Sequence, residues 1–101
     1  MLFFKNLGGI GTDMTRDEII EHILQIFRKE FEIENPGLND DLREEHEFDS
    51  IDAVELLLQI EKMLGSELTQ EEKKQAMDIR TINQIVDYIE RLARTRQETL
   101  E

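Results

Sequence analysis

Few side chains in this sequence are equipped for chemistry. There is no cysteine, so a thiol nucleophile, a disulfide scaffold and a thiolate metal site are all unavailable. The two histidines, His22 and His46, have no partner at metal-ligand spacing and read as solvated polar residues. His46-Glu47 begins like a zinc-protease motif, but the second histidine that motif needs is replaced by Ser50. The acids between Asp40 and Asp49 lack the alternating ligands and central glycine of a calcium loop. Gly8-Gly9-Ile10-Gly11 follows no strand, so it is not a phosphate loop, and no Ser-His-Asp set can be assembled. The sequence therefore predicts no catalytic residue and no metal ligand, and the chain is not expected to be an enzyme. What remains is the Ser50 hydroxyl, next to Asp49 at the expected start of a helix. From position alone, such a serine is a helix cap.

The charge distribution narrows the partners. Twenty-four acids face twelve bases, for a net charge of −12 in 101 residues. Between Glu32 and Glu61 there are eleven acids and a single base, Arg43, so −10 of the charge sits in that span. Such a surface repels phosphate backbones, which argues against nucleic acid, and it steers association toward basic surfaces. No apolar run approaches the roughly 18 residues of a membrane helix, the longest being 1–4 and 56–58. One small monomeric domain in the cytoplasm is the expectation.

The elements that must position Ser50 follow from capping signals and periodicity. Residues 1–14 read as a flexible extension, 15–94 as the domain and 95–101 as a frayed tail. Thr15 and Glu18 have capping-box spacing, and Ile19, Ile20, Ile23, Leu24, Phe27 and Phe31 recur at helical intervals, predicting a helix over 16–31. Asn35-Pro36-Gly37 breaks it, and 32–49 reads as a long loop anchored by Leu38, Leu42 and Phe48. A second helix runs from Ser50 to Leu64 and stops at Gly65. Thr69 with Glu72 opens a short helix toward Met77. Thr81 with Gln84 opens the last, whose core face is Ile82, Ile85, Val86, Ile89 and Leu92. The fold class is all-α: an antiparallel four-helix bundle with three long helices and one short one.

The second helix carries more apolar surface than a small bundle can cover. Asp52, Glu55, Gln59 and Lys62 occupy an arc of roughly 80°, and almost everything else is apolar. Leu57, Ile60 and Leu64 are assigned to the core. Ile51, Val54 and Leu58 are expected to stay partly exposed, as an apolar patch rimmed by carboxylates, which suits docking.

The stretch FDSIDAVELLLQIEKMLGSEL, residues 48–68, resembles the modification-site helix of acyl carrier proteins. The likeness extends through TINQIVDYI at 81–89 and, more weakly, over the first helix. It implies that Ser50, following Asp49, receives 4′-phosphopantetheine from coenzyme A through a separate phosphopantetheinyl transferase. A helix N-terminus favours the resulting phosphodiester. The arm's thiol would carry acyl groups as thioesters, supplying what a cysteine-free chain lacks. Asp49, Asp52, Glu55 and Glu61 would face basic patches on acyl-handling enzymes, with Ile51, Val54 and Leu58 giving apolar contact. The implied role is delivery of acyl intermediates in fatty-acid or related lipid and specialised biosynthesis. An aminoacyl or polyketide carrier, and an unmodified acidic adaptor binding basic partners, are the alternatives. Two departures point to a specialised member. The family commonly has Leu-Gly where His46-Glu47 stands, so the loop before the serine is expected to change; and the segment 71–80 is longer than usual.

Overall fold

The computed structural model describes residues 14–100, with side chains through Arg96; the expected extension over 1–14, apart from Met14, and the last residue of the expected tail lie outside them. Among the described residues five α-helices follow one another: α1 (Arg16–Phe31), α2 (Leu42–His46), α3 (Ser50–Leu64), α4 (Gln70–Gln75) and α5 (Ile82–Leu100). A 3-10 turn, Ala76–Asp78, follows α4, and no strand occurs among the described residues. The all-helical reading with three long helices holds. Two short helices are present instead of one, because Asp41 caps α2 by accepting from the N–H groups of Arg43 and Glu44 at 3.0 Å each. The segment 32–49 is therefore not a plain loop.

Each long helix starts where the capping signals put it. Thr15 Oγ1 accepts from Glu18 N–H at 3.2 Å while Glu18 Oε1 accepts from Thr15 N–H at 2.9 Å. The Thr69–Glu72 and Thr81–Gln84 pairs make the same reciprocal bonds. Each such cap satisfies backbone donors that would otherwise lack a partner, contributing about 1 kcal/mol. Met14, expected in the extension, instead packs half-buried against the core.

The core is drawn from α1 (Ile19, Ile23, Ile26, Phe27), α3 (Leu56, Ile60, Met63, Leu64) and α5 (Ile82, Ile85, Val86, Ile89, Leu92). Leu42 and Phe48 join it from the connecting segment, as expected, while Leu57 is only half-buried. Phe27, Phe31 and Phe48 form an aromatic cluster with all three centroid separations at 5.2 Å, stacked for Phe27–Phe48 and edge-on for the other two pairs. Phe48 thus anchors the chain two residues before Ser50.

The last helix continues to Leu100, through the segment expected to fray. Within it, Arg96 clamps the α3–α4 connection: its guanidinium donates to both Glu72 oxygens at 2.9 and 3.0 Å, to Ser66 Oγ at 2.7 Å and to the Glu67 carbonyl at 3.0 Å. The paired guanidinium holds the Glu72 carboxyl below its ordinary range. On α1, Arg16 likewise spans Asp87 and Glu90 of α5 at 2.8 Å each.

Tyr88, the sole tyrosine, is 1% exposed and donates its hydroxyl to the Glu72 carbonyl at 2.6 Å. Burial, reinforced by the Glu72 charge, pushes its phenol up to about 12. The folded chain thus holds this proton more tightly than the unfolded one, whose phenol titrates near 10. The contribution of Tyr88 to stability is fully present below about pH 10 and is lost as pH rises toward about 12. With no tryptophan present, the near-ultraviolet absorbance of tyrosinate reads Tyr88 alone. It is expected to titrate near 12 while helical circular dichroism persists, and near 10 in denaturant.

Candidate functional site

The segment leading to Ser50 is built from short-range bonds. A turn from 37 to 40 closes with Asp40 N–H on the Gly37 carbonyl at 3.1 Å and Gly37 N–H on Asp40 Oδ2 at 2.8 Å. Leu42 N–H bonds the Arg80 carbonyl at 2.8 Å and Asn83 N–H the Leu38 carbonyl at 3.0 Å, so the start of α5 holds this segment. At the other end α2 terminates in Glu47, whose backbone is left-handed with φ 55° and ψ 33°. Glu47 stands where the family pattern has glycine. Its backbone takes up the left-handed conformation that glycine favours. A non-glycine residue there costs about 1 kcal/mol or more. Glu47→Gly is therefore expected to raise the unfolding free energy by about 0.5–1 kcal/mol, after allowing for glycine's greater freedom when unfolded. Denaturant unfolding measures this directly.

Asp49, not Ser50, caps α3. Asp49 Oδ1 accepts from the N–H groups of Ile51 and Asp52 at 3.0 Å each, and Asp52 Oδ2 accepts from Asp49 N–H at 3.2 Å. The capping role that position alone offers to Ser50 thus falls to Asp49. Ser50 is the first helical residue, it is exposed, and its hydroxyl bonds to nothing among the described residues. It also qualifies the anion argument, since Asp49 already occupies two of the N-terminal N–H groups. The chain's other serine, Ser66, lies beyond Gly65 with its hydroxyl taken by Arg96.

Along α3 from Ser50 runs a stripe of exposed apolar side chains: Ile51 at 77%, Val54 at 61% and Leu58 at 48%. Spacings of three and four residues put them on one face. Asp52 and Glu55 are half-buried beside the stripe, and Glu55 accepts from Gln59 Nε2 at 2.8 Å. Glu61 is differently employed: its Oε2 accepts from Leu68 N–H at 2.9 Å and fastens the turn after α3. The stripe ends at a shallow depression between Glu55, Leu58, Glu61, Lys62 and the loop 65–67.

Two features escaped sequence reasoning. Met77, on the 3-10 turn, is 65% exposed, and nothing in its spacing distinguishes it from a core residue. His46 is not simply solvated: its Nε2 lies 3.0 Å from Asp40 Oδ2. The fold also brings a Glu45 oxygen within 4.8 Å of these atoms, a grouping that spacing did not reveal. No helix among the described residues is long and apolar enough to cross a membrane.

Residues 21–89 match the family model described as the phosphopantetheine attachment site. Acyl carrier protein 2 of Ralstonia nicotianae is 35% identical over 81 residues, covering 78% of this chain and 96% of the relative. An acyl carrier protein of Rubrobacter xylanophilus is 33% identical over 78 residues, covering 75% and 93%. One from Lactobacillus johnsonii is 31% identical over 78 residues, covering 75% and 94%. No solved structure matches the chain.

Proposed function

The chain belongs to the acyl carrier proteins, the phosphopantetheine-attachment family, and from that membership we propose that Ser50 is the attachment residue. The observation that carries this assignment is the free, exposed hydroxyl of Ser50 at the head of α3, released from capping duty by Asp49. When bound, the arm supplies a terminal thiol able to hold an acyl group as a thioester. The chain itself contributes no acyl chemistry; it presents the arm, fixes its root and docks. A reducing cytoplasm is the fitting setting, since the thiol must stay reduced.

Docking is assigned to the stripe of Ile51, Val54 and Leu58 with Asp49, Asp52 and Glu55 beside it. Basic patches on the transferase and on enzymes of fatty-acid or related lipid and specialised biosynthesis would meet it. Glu61 contributes through its charge, one oxygen being committed to Leu68. Exposed ion pairs contribute about 0–1 kcal/mol each, which allows quick release, while their summed field raises the encounter rate.

The assignment is tested by incubating the chain with coenzyme A, magnesium and a phosphopantetheinyl transferase. One adduct is expected, and with it one titratable thiol where the unmodified chain has none. A chain that gains neither is an unmodified adaptor. Glu55→Lys should slow loading at low salt by about tenfold and approach the parent rate at high salt. Equal rates at low salt would remove Glu55 from the docking face.

A further inference from the structure

We propose that His46 is a positioning residue for Ser50, acting through Asp40 to hold the turn from which α3 departs. The inference rests on the assignment of Ser50 as the attachment residue and goes beyond it, because His46 occupies a position at which the family pattern carries leucine.

The geometry is specific. Asp40 Oδ2 receives two donors, Gly37 N–H at 2.8 Å and His46 Nε2 at 3.0 Å, so one carboxylate ties the beginning of the connecting segment to the end of α2. The side chains of His46 and Asp40 are only 25% and 35% exposed. The His46 bond, then the Gly37 N–H, hold the Asp40 carboxyl below its ordinary range, consistent with a working carboxylate.

A clamp is needed here. At five residues α2 is far shorter than a helix that persists unaided. Its start is fastened by the Asp41 cap and by Leu42 N–H on the Arg80 carbonyl. Its end must enter a left-handed turn at Glu47, which a side-chain-bearing residue resists. His46 is the residue immediately before that turn. Phe48, immediately after it, is locked into the aromatic cluster. Together they hold the turn on both sides, and the chain then delivers Asp49 and Ser50. Releasing His46 frees one side of the turn and lets the Ser50 hydroxyl wander from the orientation a transferase must meet. The docking stripe on α3 is untouched.

The test is steady-state loading by a phosphopantetheinyl transferase with coenzyme A and magnesium, comparing the full-length chain with His46→Ala and His46→Gln. Misplacing a reacting group lowers turnover, so His46→Ala is expected to lower kcat by about tenfold with KM within about twofold. His46→Gln, which keeps an N–H donor within reach of Asp40, is expected to stay within about threefold of the parent. Partial unfolding alone would do the reverse, raising apparent KM at constant kcat. That result overturns the proposal, as does parent-like turnover of His46→Ala or equal slowing of both variants. Should His46→Ala lose its helical circular dichroism, Asp40→Ala removes the same bond from the other side, together with the Gly37 bond, and is judged by the same split. A parent chain that takes up no arm refutes the assignment of Ser50 instead.

Discussion

Ser50→Ala is expected to take up no phosphopantetheine at all while keeping the parent's helical content and thermal midpoint. Both halves of this result follow from the division of labour at the head of α3. The cap is Asp49, whose carboxylate holds the N–H groups of Ile51 and Asp52. Ser50 contributes only an exposed hydroxyl that bonds to nothing among the described residues. Removing that oxygen should change stability by no more than about 0.5 kcal/mol, as for other surface substitutions. A serine that capped the helix would instead cost about 1 kcal/mol on replacement. Mass spectrometry after transferase treatment, with denaturant unfolding of the same sample, separates these cases.

Phe48→Ala should lower the unfolding free energy by about 3–4 kcal/mol, a large share of the roughly 5–15 kcal/mol that holds a domain together. Phe48 is 7% exposed and sits 5.2 Å from the rings of both Phe27 and Phe31. Truncation removes its buried area, both ring contacts and the anchor two residues before Ser50. The deficit should therefore appear in loading as well as in denaturant unfolding. Phe48→Leu should recover most of the stability, because it refills the site with an aliphatic group at a cost of about 1.5 kcal/mol. A loss below about 1 kcal/mol for the alanine variant would mean the aromatic cluster is not a structural anchor.

The long helices were legible because local signals agree with tertiary packing. Thr15 with Glu18 and Thr81 with Gln84 have the spacing of a reciprocal cap, and the folded chain makes those bonds. The exposed stripe on α3 was legible too, since its apolar arc exceeds what two neighbouring helices can cover. The cap of α3 is Asp49, which sequence reasoning did not single out: it and Ser50 are both good capping residues, and only backbone geometry decides between them. The residues missed were those whose role depends on a polar partner that helical spacing does not supply. His46 meets Asp40 only because the segment 37–46 folds back on itself. Arg96 looked like part of a fraying end, yet it reaches Ser66, Glu67 and Glu72, far away in sequence. The family resemblance put Glu61 among the docking carboxylates, but the turn after α3 claims one of its oxygens. Periodicity reports which face a residue shares, not which polar partner the fold will bring to it.

With two serines in the chain, the most direct measurement is localisation of the arm by fragmentation of the loaded protein. Ser50 is free at the start of α3; Ser66 follows its end and is held by Arg96. The adduct should fall on the fragment containing Asp49-Ser50-Ile51, with Ser66 unmodified. An adduct on Ser66, or uptake that persists in Ser50→Ala, would contradict the account.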